Sequence, residues 1–260
     1  MQGAEIRHFK EMAGIRSFLF PEAELGSDFA VLEARESHHL IRVLRATVGT
    51  EVELLDGCGR SFTGRLVDAD SKRARVAIES VVDQVKELPA VTLVQAVPKG
   101  KAMELILRMA TELGVHSIQP IFTAQGEVQL SGDRLVGKLE KWRLVMIEAC
   151  KQCGLLWLPR LEAPLDFNGW LKSKSGGDQA LKMVASLGAD SQPIQAVLNA
   201  GLGESNGVEI AVGPEGDFSV EEYAELAQAN WRSVRLGSNV LRAETATAYV
   251  LSVIDQAKRV

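Results

Sequence analysis

The chain has 260 residues, enough to bury a sizeable core as one large domain or two smaller ones. Hydrophobic residues at 46% and charged residues at 24% are ordinary for a soluble globular protein, and no run approaches the roughly 18 apolar residues of a membrane span. A net charge of −5 excludes a generally basic surface, so any contact with nucleic acid must be a local patch.

The first residues, MQGAEIRHFKEMAG, lack the apolar core of a signal peptide, which makes the cytoplasm the expected location. Residues 1–13 read as an extension or a loosely held end. Ile15 to Leu19 reads as a first strand, stopped by Phe20-Pro21. Glu36 to Arg45 reads as a short helix with Leu40, Val43 and Leu44 as its apolar stripe. On such a helix Arg42 and Arg45, three apart, share a face. His38 and His39 point about 100° apart and make poor joint metal ligands. Thr50 to Asp56 alternates as a strand, Gly57-Cys58-Gly59 is a hairpin turn, and Arg60 to Val67 returns. Ala74 to Val82 adds another strand. Short strands around tight turns predict a small β-rich module, over about residues 14–85.

Glu87-Leu88-Pro89-Ala90 is the expected boundary, and from about residue 90 strands and helices alternate as in α/β domains. VTLVQAV is a strand and Lys99-Gly100-Lys101 a turn. Ala102 to Leu113 is a helix with Met103, Ile106, Leu107 and Ala110 on one side. Val115 to Phe122 is a strand. Ser131 to Gln152 is a long helix with Leu135, Leu139, Trp142, Met146 and Ala149 at core spacing. Leu155 to Leu161 follows, Asp166 to Lys174 reads as a helix, and Gly176-Gly177 is a break. Leu181 to Leu187 is a strand, and Pro193 to Asn199 opens a helix.

Of the three cysteines, Cys150 and Cys153 form a C-x-x-C pair. No second pair of metal ligands accompanies them, so packing near a helix end is the expected role and no metal site is assigned. Two phosphate motifs fail on context. Gly132-x-x-x-x-Gly137-Lys138 is followed by Leu139 instead of Ser or Thr and lies inside a helical pattern. Gly201-Leu202-Gly203 precedes a strand instead of following one.

The most informative stretch is Glu209 to Ala246. The apolar run Ile210-Ala211-Val212 ends in Gly213-Pro214-Glu215-Gly216. Ser219 with Glu222 three residues on has capping-box spacing. A second strand, about Ser233 to Leu236, ends in Gly237, and Leu241-Arg242-Ala243-Glu244-Thr245-Ala246 opens a last helix. Parallel strands joined by a crossover helix bring both glycine loops to one edge of a sheet, where ligands of open α/β folds bind.

This wording resembles the SPOUT class of S-adenosylmethionine-dependent RNA methyltransferases, and within it the RsmE-type enzymes that methylate N3 of a uridine in 16S ribosomal RNA. HHLIRVLR followed by DGCGR, and KGKAMELILRMATELGV, fit the same family, so the resemblance covers about residues 14–258. It departs from the family pattern at Thr123-Ala124-Gln125-Gly126, at Gly154 to Trp157, and at Asp217, where glycine is usual. The resemblance implies an N-terminal PUA-like β-barrel over 14–85 and a SPOUT domain with a deep trefoil knot over 90–260. It also implies bound S-adenosylmethionine, a homodimer, and 16S ribosomal RNA or the small ribosomal subunit as partner. The implied cofactor residues are Leu187, Gly213, Pro214, Glu215, Gly216, Leu236, Gly237, Val240, Leu241, Arg242, Thr245 and Ala246. Backbone groups there suit an adenine edge, with Val240 and Leu241 over its face. Arg242 and Glu244 are the catalytic candidates: a cation steadies the charge of a deprotonated uracil, and the acid positions it or suits the helix dipole. His38, Arg42, Arg45, Arg60 and Lys99 are the RNA-binding candidates. A non-catalytic RNA- or ribosome-binding relative, and a methyltransferase of a different RNA, remain as rival readings.

Overall fold

The computed structural model describes residues 15–128, 130–173 and 179–259. The loose end expected at 1–13 and the break expected at Gly176-Gly177 lie outside the described residues. The chain packs as two units, the first reaching Lys86 and including Cys150–Trp157, the second formed by Glu87–Ala149 and Leu158–Val260.

The first unit holds β1 (Ile15–Phe18), β2 (Glu24–Leu25), β3 (Phe29–Val31), α1 (Ala34–His38), β4 (Glu51–Leu55), β5 (Arg60–Asp68) and β6 (Arg75–Asp83). They form one sheet in the order β1-β4-β5-β6-β3-β2, antiparallel except for β1 beside β4. Leu32, Leu40, Val52, Leu54, Leu66 and Val76 fill its core. The short strands β2 and β3 carry too little pattern to read from sequence. After α1 the chain widens into a π-helical turn, His39–Val43, closed by the Leu44 N–H donating to the His39 carbonyl at 2.9 Å. A turn with i→i+5 bonds holds more residues than an α turn, so positions three and four apart no longer share a face. Leu40 is therefore buried while Val43 and Leu44 are 58% and 40% exposed, which corrects the expected apolar stripe. Arg45 lies beyond the turn at φ 55, so it does not share a helical face with Arg42.

The second unit holds β7 (Ala90–Ala96), α2 (Ala102–Glu112), β8 (Ser117–Phe122), α3 (Gly132–Cys153), β9 (Arg160–Leu161), β10 (Leu165–Asp166) and α4 (Phe167–Ser173). It continues with β11 (Ala180–Ala185), β12 (Gln192–Pro193), α5 (Ile194–Gly201), β13 (Gly207–Val212), α6 (Val220–Gln228), β14 (Arg232–Arg235) and α7 (Ala243–Lys258). The strands run parallel in the order β10-β8-β7-β13-β11-β14-β12, with β9 beside β8. Successive strand residues face opposite ways. Leu93 and Ile210 accordingly join α2, α3, α5 and α7 in one core, while Val94 and Ala211 join α4 and α6 in the other. This is a parallel sheet flanked by helices. Helix α2 buries Met103, Ile106, Leu107 and Ala110, the residues its period singles out.

The end of α3 belongs to the first unit. There the Lys151 ammonium lies 3.1 and 3.2 Å from the two oxygens of Glu36, which also accepts from Ser17 Oγ at 2.6 Å and the Phe18 N–H at 3.1 Å. Arg16 donates to the Lys151 and Gln152 carbonyls, satisfying helix-end acceptors. Burial pushes the Cys150 thiol up to about 12, so it stays protonated; Cys153 is exposed, and no group of three metal-ligating side chains occurs among the described residues. Within Leu155 to Leu161 the strand is confined to Arg160–Leu161. Leu156 and Trp157 instead bond the β4–β5 turn and the end of β6, through Gly59 N–H to the Leu156 carbonyl at 3.0 Å and Trp157 Nε1 to the Gln84 carbonyl at 3.0 Å.

Candidate functional site

Three neighbouring strands of the second unit, β13, β11 and β14, end at Val212, Ala185 and Arg235. Because they are parallel, their following loops meet at one edge of the sheet. A pocket opens there with about 620 Å³ of empty space, mouth included. The first loop supplies Gly213, Pro214, Glu215 and Asp217 to its wall, the second Ser186 and Leu187, and the third Leu236, Gly237, Asn239, Val240 and Leu241. Ala243 and Ala246, one helical turn apart on α7, complete it together with the strand ends Ala185 and Val212. Both glycine loops singled out in the sequence therefore face one cavity.

Local chemistry fixes these loops. Ser219 Oγ accepts from the Glu222 N–H at 3.1 Å and Glu222 Oε2 accepts from the Ser219 N–H at 2.8 Å, the reciprocal cap that opens α6. Glu222 is buried, and its other oxygen accepts from the Ala124 N–H at 2.8 Å, tying the loop after β8 to the same helix. Glu215 Oε1 accepts from the Lys99 N–H at 3.0 Å. At the start of α7, Thr247 Oγ1 donates to Gln95 Oε1 at 2.7 Å, and Gln95 Nε2 reaches the Val212 carbonyl at 3.4 Å. These side chains are buried and bonded, so the first turn of α7 is pinned to the ends of β7 and β13.

Among the proposed cofactor residues, Leu187, Gly213, Pro214, Glu215, Leu236, Gly237, Val240, Leu241 and Ala246 stand on the wall, and Gly216, Arg242 and Thr245 do not. Gly216 faces the loop after β8, since a Cβ there would sit 3.2 Å from Gln125 Cβ. Thr245 is exposed on α7, off the face that Ala243 and Ala246 present. Arg242 is the exposed N-cap of α7, and its guanidinium has no hydrogen bond or ion pair among the described residues. Glu244 is half-buried in the first turn of that helix. Val240 is 81% exposed at the mouth.

Of the RNA candidates, His38, Arg42, Arg45 and Arg60 belong to the first unit and Lys99 to the second. His38, Arg42 and Arg45 are exposed on and after α1. Arg60 pairs with Asp56 at 2.9 Å and lies over Phe62. Lys99 pairs with Glu127, which raises the pKa of its ammonium. Sequence reasoning missed Ala185, Ser186, Val212, Asp217, Asn239 and Ala243 as wall residues. Asp217 had a signal, being the residue that directly follows the glycine turn. It adopts φ 64, in the left-handed region that glycine takes freely.

Comparison with known proteins gives a consistent picture. Residues 86–255 match an RNA methyltransferase domain family, and residues 32–79 match an RNA methyltransferase PUA domain family. The ribosomal RNA small subunit methyltransferase E of Synechocystis is 35% identical over 228 residues, covering 86% of this chain and 72% of that protein. Its Bacillus subtilis counterpart is 26% identical over 227 residues, covering 86% and 88%. Among solved structures, a methyltransferase from Legionella pneumophila in complex with S-adenosylmethionine is 29% identical with a TM-score of 0.84, covering 95% of this chain and 98% of that one. A ribosomal RNA small subunit methyltransferase E from Neisseria gonorrhoeae, bound to S-adenosylmethionine, is 26% identical with a TM-score of 0.82, covering 94% and 97%.

Proposed function

The chain belongs to the ribosomal RNA small subunit methyltransferase E family, and on that premise we propose that it methylates N3 of a uridine in 16S ribosomal RNA with S-adenosylmethionine. The observation that carries this is the pocket formed together by the loops after β13, β11 and β14, beside an arginine whose guanidinium has no partner among the described residues. The wall suits the cofactor. It is largely apolar or backbone, it has no basic residue among the described residues, and a Cβ on Gly237 would meet no heavy atom within 4 Å, so a flat ring can lie against that turn. The cofactor supplies the methyl group on a sulfonium sulfur. The glycine loops would hold the adenine edge, and Val240 and Leu241 would close over its face and keep water out.

Arg242 acts on the other reactant. Uridine N3 must give up its proton, to a carboxylate or to water, at or before attack, which leaves negative charge on the ring oxygens. The exposed guanidinium of Arg242, at the N-cap of α7, orients the base and steadies that charge. Glu244, in the same turn, favours the positive end of the helix and balances Arg242. His38, Arg42, Arg45, Arg60 and Lys99 are assigned to the RNA backbone, where charge matters more than shape. The remaining features follow the family resemblance: a trefoil knot in a SPOUT domain over 90–260, a PUA-like barrel over 14–85, a working homodimer, and location in the cytoplasm with the ribosome.

The deciding experiment uses small ribosomal subunits from a strain lacking the endogenous enzyme. The purified chain with labelled S-adenosylmethionine should methylate them and create one primer-extension stop at a uridine. Label without a stop in 16S RNA would assign a different acceptor, and no label would leave only RNA binding. A second test addresses the cofactor. Gly237 does not have a left-handed backbone, so Gly237→Val should fold normally. Its side chain would occupy the space beside the turn. Binding of S-adenosylmethionine by calorimetry is expected to weaken about 10- to 100-fold, the scale of overpacking in a filled site. Unchanged affinity would move the cofactor away from this turn.

A further inference from the structure

Asp217 is the wall residue with the least ordinary backbone and the most constrained carboxylate. Its φ of 64 lies in the left-handed region that few residues with a side chain adopt, Asp and Asn more readily than others, and such positions cluster where a protein needs a group in one place. The turn that precedes it is closed by the Asp217 N–H donating to the Pro214 carbonyl at 3.0 Å. One carboxylate oxygen, Oδ1, accepts from the Phe218 N–H at 2.8 Å and from Tyr223 Oη at 2.7 Å. Tyr223 is in turn aligned by the Ala185 carbonyl, 3.1 Å from its oxygen. Burial and then the Asp217 carboxylate push the tyrosine pKa up, so the phenol keeps its proton and remains a donor. The ring of Tyr223 is locked edge-on against Phe218, with centroids 5.6 Å apart. The second oxygen, Oδ2, has no protein partner among the described residues, and Asp217 lines the pocket.

The charge around the pocket is one-sided. Glu215 and Asp217 are its acidic wall residues, and no basic residue lines it among the described residues. Glu215 is exposed and already accepts from Lys99, which leaves Asp217 as the half-buried anion with a free oxygen. S-adenosylmethionine carries a sulfonium, an ammonium and a carboxylate, a net single positive charge. Its product, S-adenosylhomocysteine, keeps the ammonium and carboxylate but has a thioether, and is neutral.

We propose that Asp217 makes this pocket discriminate the cofactor from its own demethylated product, by placing a pre-oriented carboxylate against the sulfonium charge that methyl transfer abolishes. This rests on the cofactor reading above and deepens it. Asp217 is a specificity residue: it favours the methyl-bearing form on entry and loses its hold when the charge is gone, which speeds product exit.

Calorimetry with three ligands tests it: S-adenosylmethionine, S-adenosylhomocysteine, and sinefungin, whose amine replaces the sulfonium. The variants are Asp217→Asn, which keeps the shape, and Asp217→Gly, which relieves the left-handed backbone and protects against a folding failure. In both, affinity for S-adenosylmethionine and sinefungin is expected to fall about tenfold, the scale of one charge contact in a partly solvated site, while S-adenosylhomocysteine changes less than about twofold. Equal losses for all three ligands would place Asp217 at the ammonium or in a purely structural role and overturn the proposal. So would no loss in either variant. If the unmodified chain binds none of the three, the cofactor reading itself fails, a result distinct from any of these.

Discussion

Alanine in place of Arg242 is expected to reduce methyl transfer to small ribosomal subunits by about 10²-fold or more, while affinity for S-adenosylmethionine changes less than about twofold. The separation follows from placement. Arg242 is not on the pocket wall, so the cofactor loses no contact. Its guanidinium has no protein partner among the described residues, so the fold loses no bond and the melting temperature should hold. The position itself argues for a role outside stability. Helix N-caps favour Ser, Asn and Asp, whose oxygens satisfy free N–H groups. Arginine at the head of α7 makes no side-chain cap bond, so local helix chemistry gives no reason for it. Arg242→Lys should recover part of the rate, because it restores the charge but not the planar fork. Unchanged turnover in Arg242→Ala would remove this residue from the mechanism.

Lys151→Met is expected to have the largest effect on stability, about 3–5 kcal/mol. Glu36 is 1% exposed and its carboxylate is held by Lys151, Ser17 and the Phe18 N–H. Removing the ammonium leaves a buried anion with two neutral donors, which do not offset its lost hydration. A drop in melting temperature of roughly 10 °C is the corresponding calorimetric result. The double variant Glu36→Gln with Lys151→Met should recover much of the loss, since it removes the charge as well as its partner. A single-variant loss below about 1 kcal/mol would show that water reaches the pair.

What the sequence determined by itself was whatever depends on neighbours a few residues apart. Ser219 and Glu222 announce the start of α6 because their reciprocal bonds span only three residues. Met103, Ile106, Leu107 and Ala110 mark the buried face of α2 because the helical period sets it. The glycine turns after two apolar runs mark strand ends, and the parallel alternation brings them to one edge. The tertiary structure decided the rest. The partner of Glu36 lies 115 residues away, and its chemistry is that of any surface lysine until α3 delivers it. The π-helical turn at His39–Val43 split the expected stripe, leaving Leu40 buried and Val43 and Leu44 exposed, because no short-range pattern distinguishes a wider turn from an α-helix. Gly216 and Asp217 are adjacent, yet one packs toward Gln125 and the other lines the pocket. Which neighbour faces the pocket depends on loops brought from β8, β11 and α7, and on a backbone angle that a one-dimensional pattern does not carry.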